Sequence, residues 1–148
     1  ATLRPNQLLA VSLPFSPLDV VRQRQVVSAC GGRLFAATGL RSLDPREGRY
    51  VGRYGGPPAI RDGAYHQGTS WVWLLGVFAL AYARAFRDAA GARAYLESCW
   101  DALHDACLGQ LGELADGDAP FEPKGAFAQA WSVAEVVRAW HDAPHFAG

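Results

Sequence analysis

Apolar residues recur with a helical period over most of the chain, and this pattern predicts an all-α fold. Proline and glycine punctuate the pattern: Pro5 opens the first helix, Gly31 and Gly32 close the second, and Pro144 follows the last. The third helix is apolar on nearly every side, which is typical of an inner helix of a large bundle. About five helices are predicted, over residues 4–13, 16–32, 69–87, 90–111 and 128–142.

The second and the last of these helices carry further local signals. Ser16 is expected to cap the second helix, with Asp19 as an acid in its first turn. In the last helix Trp131, Ala134 and Val137 recur at roughly helical spacing. These three residues, with Trp140 as a further candidate, are expected to form the apolar side of the helix.

Two long segments show no sustained period and are predicted to be loops, at residues 32–67 and 112–125. The turn at residues 88–91 is so short that the third and fourth helices must be antiparallel neighbours. Because this turn lies at one end of the helix pair, both loops must lie at the other end and share one rim. That rim is where binding and catalytic groups are expected. Its polar and aromatic residues are Arg41, Asp44, Tyr50, Tyr54, Arg61, Asp62, Tyr65, His66, Glu113, Asp116, Asp118 and Glu122.

Composition indicates one compact unit spanning residues 1–148. Half of the residues are hydrophobic and 11% are aromatic, which is enough to form a sizeable core. Fourteen basic residues balance fourteen acidic ones, so neither a nucleic acid nor a membrane is an expected partner. The longest apolar run, residues 71–83, is shorter than the roughly 18 to 20 residues that span a bilayer. A neutral partner fits this charge balance best.

The cysteines indicate a reducing compartment. Cys30, Cys99 and Cys107 are an odd number without a CxxC pair, and each lies in an apolar helical context. They are therefore expected to be free, buried thiols in a cytoplasmic protein. There is no signal peptide and no methionine, and the start at Ala1 is expected to be a cut through a longer protein.

The segment RDGAYHQGTSWVW mixes aromatic and polar residues at the start of the third helix. Aromatic faces cover the apolar C–H faces of a pyranose, while amide and imidazole groups bond its hydroxyls. Tyr65, His66, Gln67 and Trp71 are therefore candidates for a sugar site. The alternative is a buried helix start with core tryptophans, and Trp73 is favoured as a core residue.

Glu113 is a candidate catalytic carboxylate in the motif LGELADGD, where a helix is predicted to end. Glycoside hydrolysis needs two carboxyl groups, and Glu113 could be one of them. The alternative is an ordinary solvated loop acid. Asp116 and Asp118 are favoured as turn formers. No metal site is predicted, because Pro144 interrupts the only histidine pair with metal-like spacing.

Five motif groups follow one another along nearly the whole chain: RPNQLLAVSLP, GLRSLDP with YVGRYGG, RDGAYHQGTSWVWLLGVF, LGELADGDAPF and AQAWSVAEVVRAW. Together they closely resemble the C-terminal part of glycogen debranching enzymes of the amylo-α-1,6-glucosidase kind. The resemblance implies part of an (α/α)6 toroid that hydrolyses α-1,6-linked glucose with inversion, without a metal or organic cofactor. It implies Glu113 as the general base. It further implies that the sugar subsite is lined by Tyr65, His66, Gln67, Trp71, Gln129 and Trp131.

The resemblance also implies that part of the enzyme is missing from this chain. The general acid of such enzymes is an aspartate in a motif that would precede residue 1, and a toroid needs twelve helices. The isolated chain is therefore expected to be inactive, with glycogen or a branched α-glucan and the preceding part of the parent polypeptide as its partners. Two alternatives remain: a glucan-binding or interaction module without hydrolysis, and another toroid glycosidase such as a trehalase-like enzyme.

Overall fold

The computed structural model describes residues 2–105 and 108–146, and helices account for about half of the chain. A 3-10 helix at each end, Pro5–Leu8 and Ala143–Phe146, accompanies the α-helices. These are α1 (Leu9–Ser12), α2 (Val20–Leu34), α3 (Pro58–Ala64), α4 (Trp73–Phe86), α5 (Ala89–Glu97), α6 (Trp100–Asp105) and α7 (Ala130–Asp142). The strands are β1 (Phe35–Ala36), β2 (Gly39–Arg41), β3 (Ser70–Trp71), β4 (Leu114–Ala115) and β5 (Pro123–Lys124). The largely helical character is confirmed, but the all-α prediction must be corrected for an antiparallel sheet.

Helix α4 runs through the middle of the packed elements, as its uniformly apolar sequence predicts. Phe78 packs on the α2 side, where Cys30 is fully buried. Leu75 and Ala79 pack on the other side, against Val136 of α7. No helix among the described residues is both long and apolar enough to cross a membrane.

Helix α2 begins at a different cap from the one predicted. Asp19 is the N-cap residue, and its carboxylate accepts a hydrogen bond from the Arg22 N–H at 2.9 Å. Ser16 instead closes the preceding turn, where its hydroxyl donates to the Ala10 carbonyl at 2.6 Å. The helix also continues past the two glycines to Leu34. A helical glycine with ordinary dihedral angles weakens a helix without ending it.

The predicted helix over residues 90–111 is not one helix. Helix α5 ends at Glu97 because Ser98 and Cys99 form a turn, in which the Ser98 hydroxyl donates to the Tyr95 carbonyl at 2.7 Å. Helix α6 is described over Trp100–Asp105, and at Gly109 the backbone is left-handed with φ 85°. Cys107 lies outside the described residues. Tyr95 nevertheless packs on Phe78 and Tyr82 of α4, as expected for neighbouring helices.

Helix α7 buries a different side from the one predicted. Ser132, Val136 and Ala139 face the core. Trp131 is 50% exposed and Val137 is 61% exposed, so spacing and apolarity selected the wrong face. The side chains that fill the core here are small because α7 lies close to the backbone of α4.

Both predicted loops contain short strands, and these strands join the loops in one sheet of order β1-β2-β3-β4-β5. Leu40 of β2 pairs with Trp71 of β3, which also pairs with Leu114 of β4. Strand β3 comes from residues predicted to be helical, and α3 lies within the first predicted loop. Since β2 and β4 flank β3, the sheet brings the two loops together just before α4 begins.

Candidate functional site

A cavity of about 520 Å³ lies where β3, β4 and the start of α7 meet the first 3-10 helix. Binding sites for small ligands generally fall within roughly 300–1,000 Å³. The cavity wall draws on segments from both ends of the chain. It consists of Arg4, Pro5, Asn6, Ser42, Tyr65, His66, Trp71, Trp73, Leu74, Glu113, Gln129 and Trp131.

Two stacked aromatic pairs form much of the wall. His66 lies parallel to Trp71 with ring centroids 5.3 Å apart and an interplanar angle of 12°. Trp73 lies parallel to Trp131 at 4.1 Å and 17°. The Trp71 indole N–H donates to the Tyr65 carbonyl at 3.2 Å, which fixes this ring. Flat aromatic surfaces of this kind cover the C–H faces of a sugar ring.

Glu113 presents the one carboxylate found in the cavity wall among the described residues. One of its oxygens, Oε2, accepts a hydrogen bond from the Ala126 N–H at 2.8 Å. The other, Oε1, accepts from the Tyr65 hydroxyl. The Glu113 backbone N–H donates to the Ala126 carbonyl at 2.9 Å. The carboxylate is therefore held from two sides rather than free in solvent.

Tyr65 is a hydrogen-bond donor to this carboxylate over the whole neutral range. Burial of the phenol, followed by its hydrogen bond to Glu113 and the charge of that carboxylate, raises the pKa of Tyr65 to about 12. Burial disfavours the charged phenolate, and a neighbouring negative charge disfavours it further. The phenol thus remains protonated and able to donate.

Arg4 belongs to the cavity wall, although the sequence analysis did not select it as a site residue. Its guanidinium donates to the backbone carbonyls of Ser42 at 3.0 Å and His66 at 2.7 Å. It also donates to the Gln67 side-chain oxygen at 3.0 Å. Gln67, expected in the sugar subsite, is therefore turned toward Arg4 and is not part of the cavity lining. Gln67 instead supports Arg4, which does line the cavity.

Most of the predicted rim residues do not line the cavity, and several of these join the two loops. The Tyr50 hydroxyl donates to Asp118 at 2.8 Å. The buried carboxylate of Asp116 accepts from the Tyr54 backbone N–H at 2.8 Å and from the Arg53 guanidinium at 3.1 Å. These bonds cross between the first and second loops and hold the loops in register. Asp116 and Asp118 thus bind across the two loops, a role that differs from the local turn formation that their sequence favoured.

Other rim residues also lie away from the cavity. Arg41 donates to the Gly117 carbonyl at 2.7 Å. Asp44 is buried in an ion pair with Arg33. Three more of the predicted rim residues make exposed ion pairs: Arg61 with Asp62, and Glu122 with Lys124.

The structure brings together most of the residues that the sequence analysis selected. Six of the predicted site residues line the cavity: Tyr65, His66, Trp71, Glu113, Gln129 and Trp131. Trp73 joins them, although it was favoured as a core residue. Asn6 and Ser42 were missed along with Arg4. The signal available for Arg4 and Asn6 was the RPN motif at the start of the first helix, but a motif alone does not show which cavity its residues reach.

No group of three or more histidine, cysteine, aspartate or glutamate residues that could hold a metal ion occurs in residues 2–105 and 108–146. The cavity itself offers one carboxylate, several hydrogen-bonding side chains and aromatic faces. This combination can bind a neutral polyhydroxylated ligand and can accept a proton at Glu113.

Comparison with known families gives one match that covers almost the whole chain. The model of the amylo-alpha-1,6-glucosidase family matches residues 1–138. All of the cavity-lining residues fall within the matched region.

Proposed function

Because the chain belongs to the amylo-alpha-1,6-glucosidase family, we propose that its cavity holds the α-1,6-linked glucose of a glycogen branch point. In this proposal Glu113 is the general base of hydrolysis. The observation that carries the proposal is the placement of the Glu113 carboxylate in the same cavity as two stacked aromatic pairs. A neutral sugar also fits a chain without net charge.

The proposed reaction is a single displacement with inversion. Glu113 takes a proton from a water molecule while the water oxygen bonds to the anomeric carbon of the terminal glucose. The bond between that carbon and the glycosidic oxygen breaks, and its electron pair goes to the leaving oxygen. A carboxylic acid on the opposite side of the bond protonates this oxygen. The products are free glucose in the β configuration and a glucan without that branch.

The acid in this scheme comes from outside the described chain. Inverting enzymes place their two carboxyl groups roughly 6.5–9.5 Å apart, and Glu113 is the one carboxylate in the wall described here. We propose that a segment preceding residue 1 supplies the acid and completes an (α/α)6 toroid, of which residues 1–148 are the C-terminal part. On this proposal the isolated chain holds glucose without hydrolysing it.

The sugar contacts follow from which groups in the cavity remain available. Trp131, half exposed on top of Trp73, offers an indole face to the pyranose. His66 and Gln129 offer polar atoms to its hydroxyls. Two buried cysteines, Cys30 and Cys99, are free thiols, which fits a reducing cytoplasm as the site of the reaction.

One observation favours a second candidate, a glucan-binding module without hydrolysis. Both oxygens of Glu113 already accept hydrogen bonds, from Tyr65 and from Ala126. A carboxylate held in this way could serve only to brace the wall of a binding cavity. Measurement of binding and hydrolysis in the same variants separates the two functions.

The test is glucose release from branched limit dextrin by the full-length protein carrying Glu113→Gln. The amide cannot accept the proton, so release is expected to fall by about 10²- to 10⁴-fold, with dextrin binding retained. Glu122→Gln is the matched control, because Glu122 is exposed and pairs with Lys124 at 2.8 Å; it is expected to leave release unchanged.

If Glu113→Gln retains most of its glucose release, the general-base role is wrong. If wild-type full-length protein binds dextrin but releases no glucose, the second candidate function, a glucan-binding module without hydrolysis, is correct. Trehalose serves as the comparison substrate, and preferential cleavage of trehalose would assign the chain to a different toroid glycosidase.

A further inference from the structure

The hydroxyl of Tyr65 points at the catalytic candidate rather than into free space. It donates to Oε1 of Glu113, while the Ala126 N–H donates to Oε2. We propose that Tyr65 is a positioning residue, whose hydroxyl and the Ala126 N–H together hold the Glu113 carboxylate in one orientation. This inference rests on the proposed function, and it gives the Tyr65 hydroxyl a role toward Glu113 instead of toward the sugar.

The ring of Tyr65 is fixed by packing on three sides. Its centroid lies 4.6 Å from that of Trp71, 4.9 Å from that of His66 and 5.6 Å from that of Tyr54. The Tyr65 carbonyl is also bound, since the Thr69 hydroxyl donates to it at 2.7 Å. A hydroxyl on so constrained a ring holds a carboxylate in one orientation, which is what a catalytic base requires.

The Tyr65 hydroxyl and the Ala126 N–H form a clamp on the Glu113 carboxylate. Next to Ala126 the chain makes a turn that favours glycine. Gly125 has a φ of 71°, in the left-handed region, and a Cβ at this position would overlap the Glu113 carboxylate. The next residue, Ala126, exchanges two hydrogen bonds with Glu113: its N–H donates to Oε2, and its carbonyl accepts from the Glu113 N–H. The turn therefore lies directly against the carboxylate and limits its movement.

The surroundings of Tyr65 keep its hydroxyl protonated and able to donate. Burial, followed by the hydrogen bond and charge of Glu113 and by nearby Tyr54 and Asp62, raises the pKa of Tyr65 to about 12. The hydrogen bond to Glu113 therefore persists across the neutral range.

The test is Tyr65→Phe in the full-length protein, with kcat and KM for limit dextrin measured separately. The phenyl ring keeps the packing, and only the donor is removed. We expect kcat to fall about tenfold with KM changed less than about threefold. Tyr50→Phe is the matched control: it removes the phenol that donates to Asp118, outside the cavity lining, and should leave kcat and KM near their wild-type values.

A second variant reaches the same carboxylate from the other side. Gly125→Ala is expected to displace Glu113 and to lower kcat without a comparable rise in KM, with the melting temperature confirming that the variant is folded. A rise in KM for Tyr65→Phe with kcat unchanged would overturn the inference and show that the hydroxyl binds sugar. The two proposals fail separately, because retention of activity by Glu113→Gln overturns the base assignment itself. An inactive Glu113→Gln beside a Tyr65→Phe variant with wild-type kcat overturns only the positioning role.

Discussion

Two tyrosines link the loops of this protein through the same kind of contact. The Tyr65 hydroxyl donates to Glu113, which is 48 positions away, and the Tyr50 hydroxyl donates to Asp118, which is 68 positions away. Burial, followed by the neighbouring carboxylate, raises the pKa of each phenol to about 12. Both bonds therefore depend on the phenols remaining protonated.

These two phenols predict a loss of stability at alkaline pH. In the unfolded chain a tyrosine titrates near pH 10, and in the folded protein these two titrate near 12. Their contribution to the free energy of unfolding is complete below about pH 10 and is lost as pH rises toward about 12. In urea denaturation across this pH range, the free energy of unfolding should fall less steeply for the Tyr50→Phe/Tyr65→Phe double variant than for wild type. An equal fall in the free energy of unfolding for both proteins would show that folding does not raise the pKa of these phenols.

At the scale of elements, helices α4 and α7 pack closely against each other. Gly76 of α4 faces the backbone of α7, and a Cβ at this position would overlap the Glu135 carbonyl. Val136 and Ala139 fill the remaining space, with Leu75 and Ala79 opposite them. The close approach matters for the site because α7 starts beside Gln129 and Trp131 in the cavity wall.

Alanine substitutions at two glycines test this packing. Gly76→Ala is expected to lower the free energy of unfolding by about 1–3 kcal/mol, because the added methyl must push the helices apart. Gly32→Ala in α2 is the control, since a Cβ there has no neighbour within 4 Å. It is expected to raise stability by about 0.5–1 kcal/mol through helix propensity alone. The free energy of unfolding is measured by urea denaturation. An increase for both variants would contradict the close approach of α4 to α7.

The elements predicted correctly from the sequence are helices in which apolar residues recur over a long segment. The segment containing α4 has an apolar run long enough to identify it, although the helix begins at Trp73 and not at Thr69. Strands of two or three residues, such as β3 and β4, have no period to detect and are set by pairing between distant segments. The buried side of α7 was mispredicted because apolarity does not distinguish core from cavity. Trp131 lines the large cavity, and Val137 lines a second one of about 270 Å³.

At the scale of the whole molecule, the prediction that mattered most for function was the meeting of two distant loops. A short turn between two helices was enough to predict that both loops share one end of the helix pair. The contacts that form the site, such as Tyr65 with Glu113, needed coordinates because each depends on strand register. Arg4 was not predicted as a site residue, since two of its partners, Ser42 and His66, accept through backbone carbonyls that leave no trace in side-chain patterns.

The chain as a whole offers one wall of the proposed sugar site: aromatic faces, hydrogen-bonding groups and one carboxylate among the described residues. The central claim is that this wall holds the terminal glucose of a branch, with Glu113 facing its anomeric carbon. Family membership supports the substrate, and the clamp on Glu113 supports the catalytic role.

The most direct test is a crystal structure of the full-length Glu113→Gln variant with a branched α-glucan bound. The account predicts that the α-1,6-linked glucose lies in the cavity and packs on Trp131. It also predicts a water molecule within about 3 Å of the side chain at position 113, facing the anomeric carbon. A glucose bound elsewhere, or one whose anomeric carbon faces away from position 113, would contradict it.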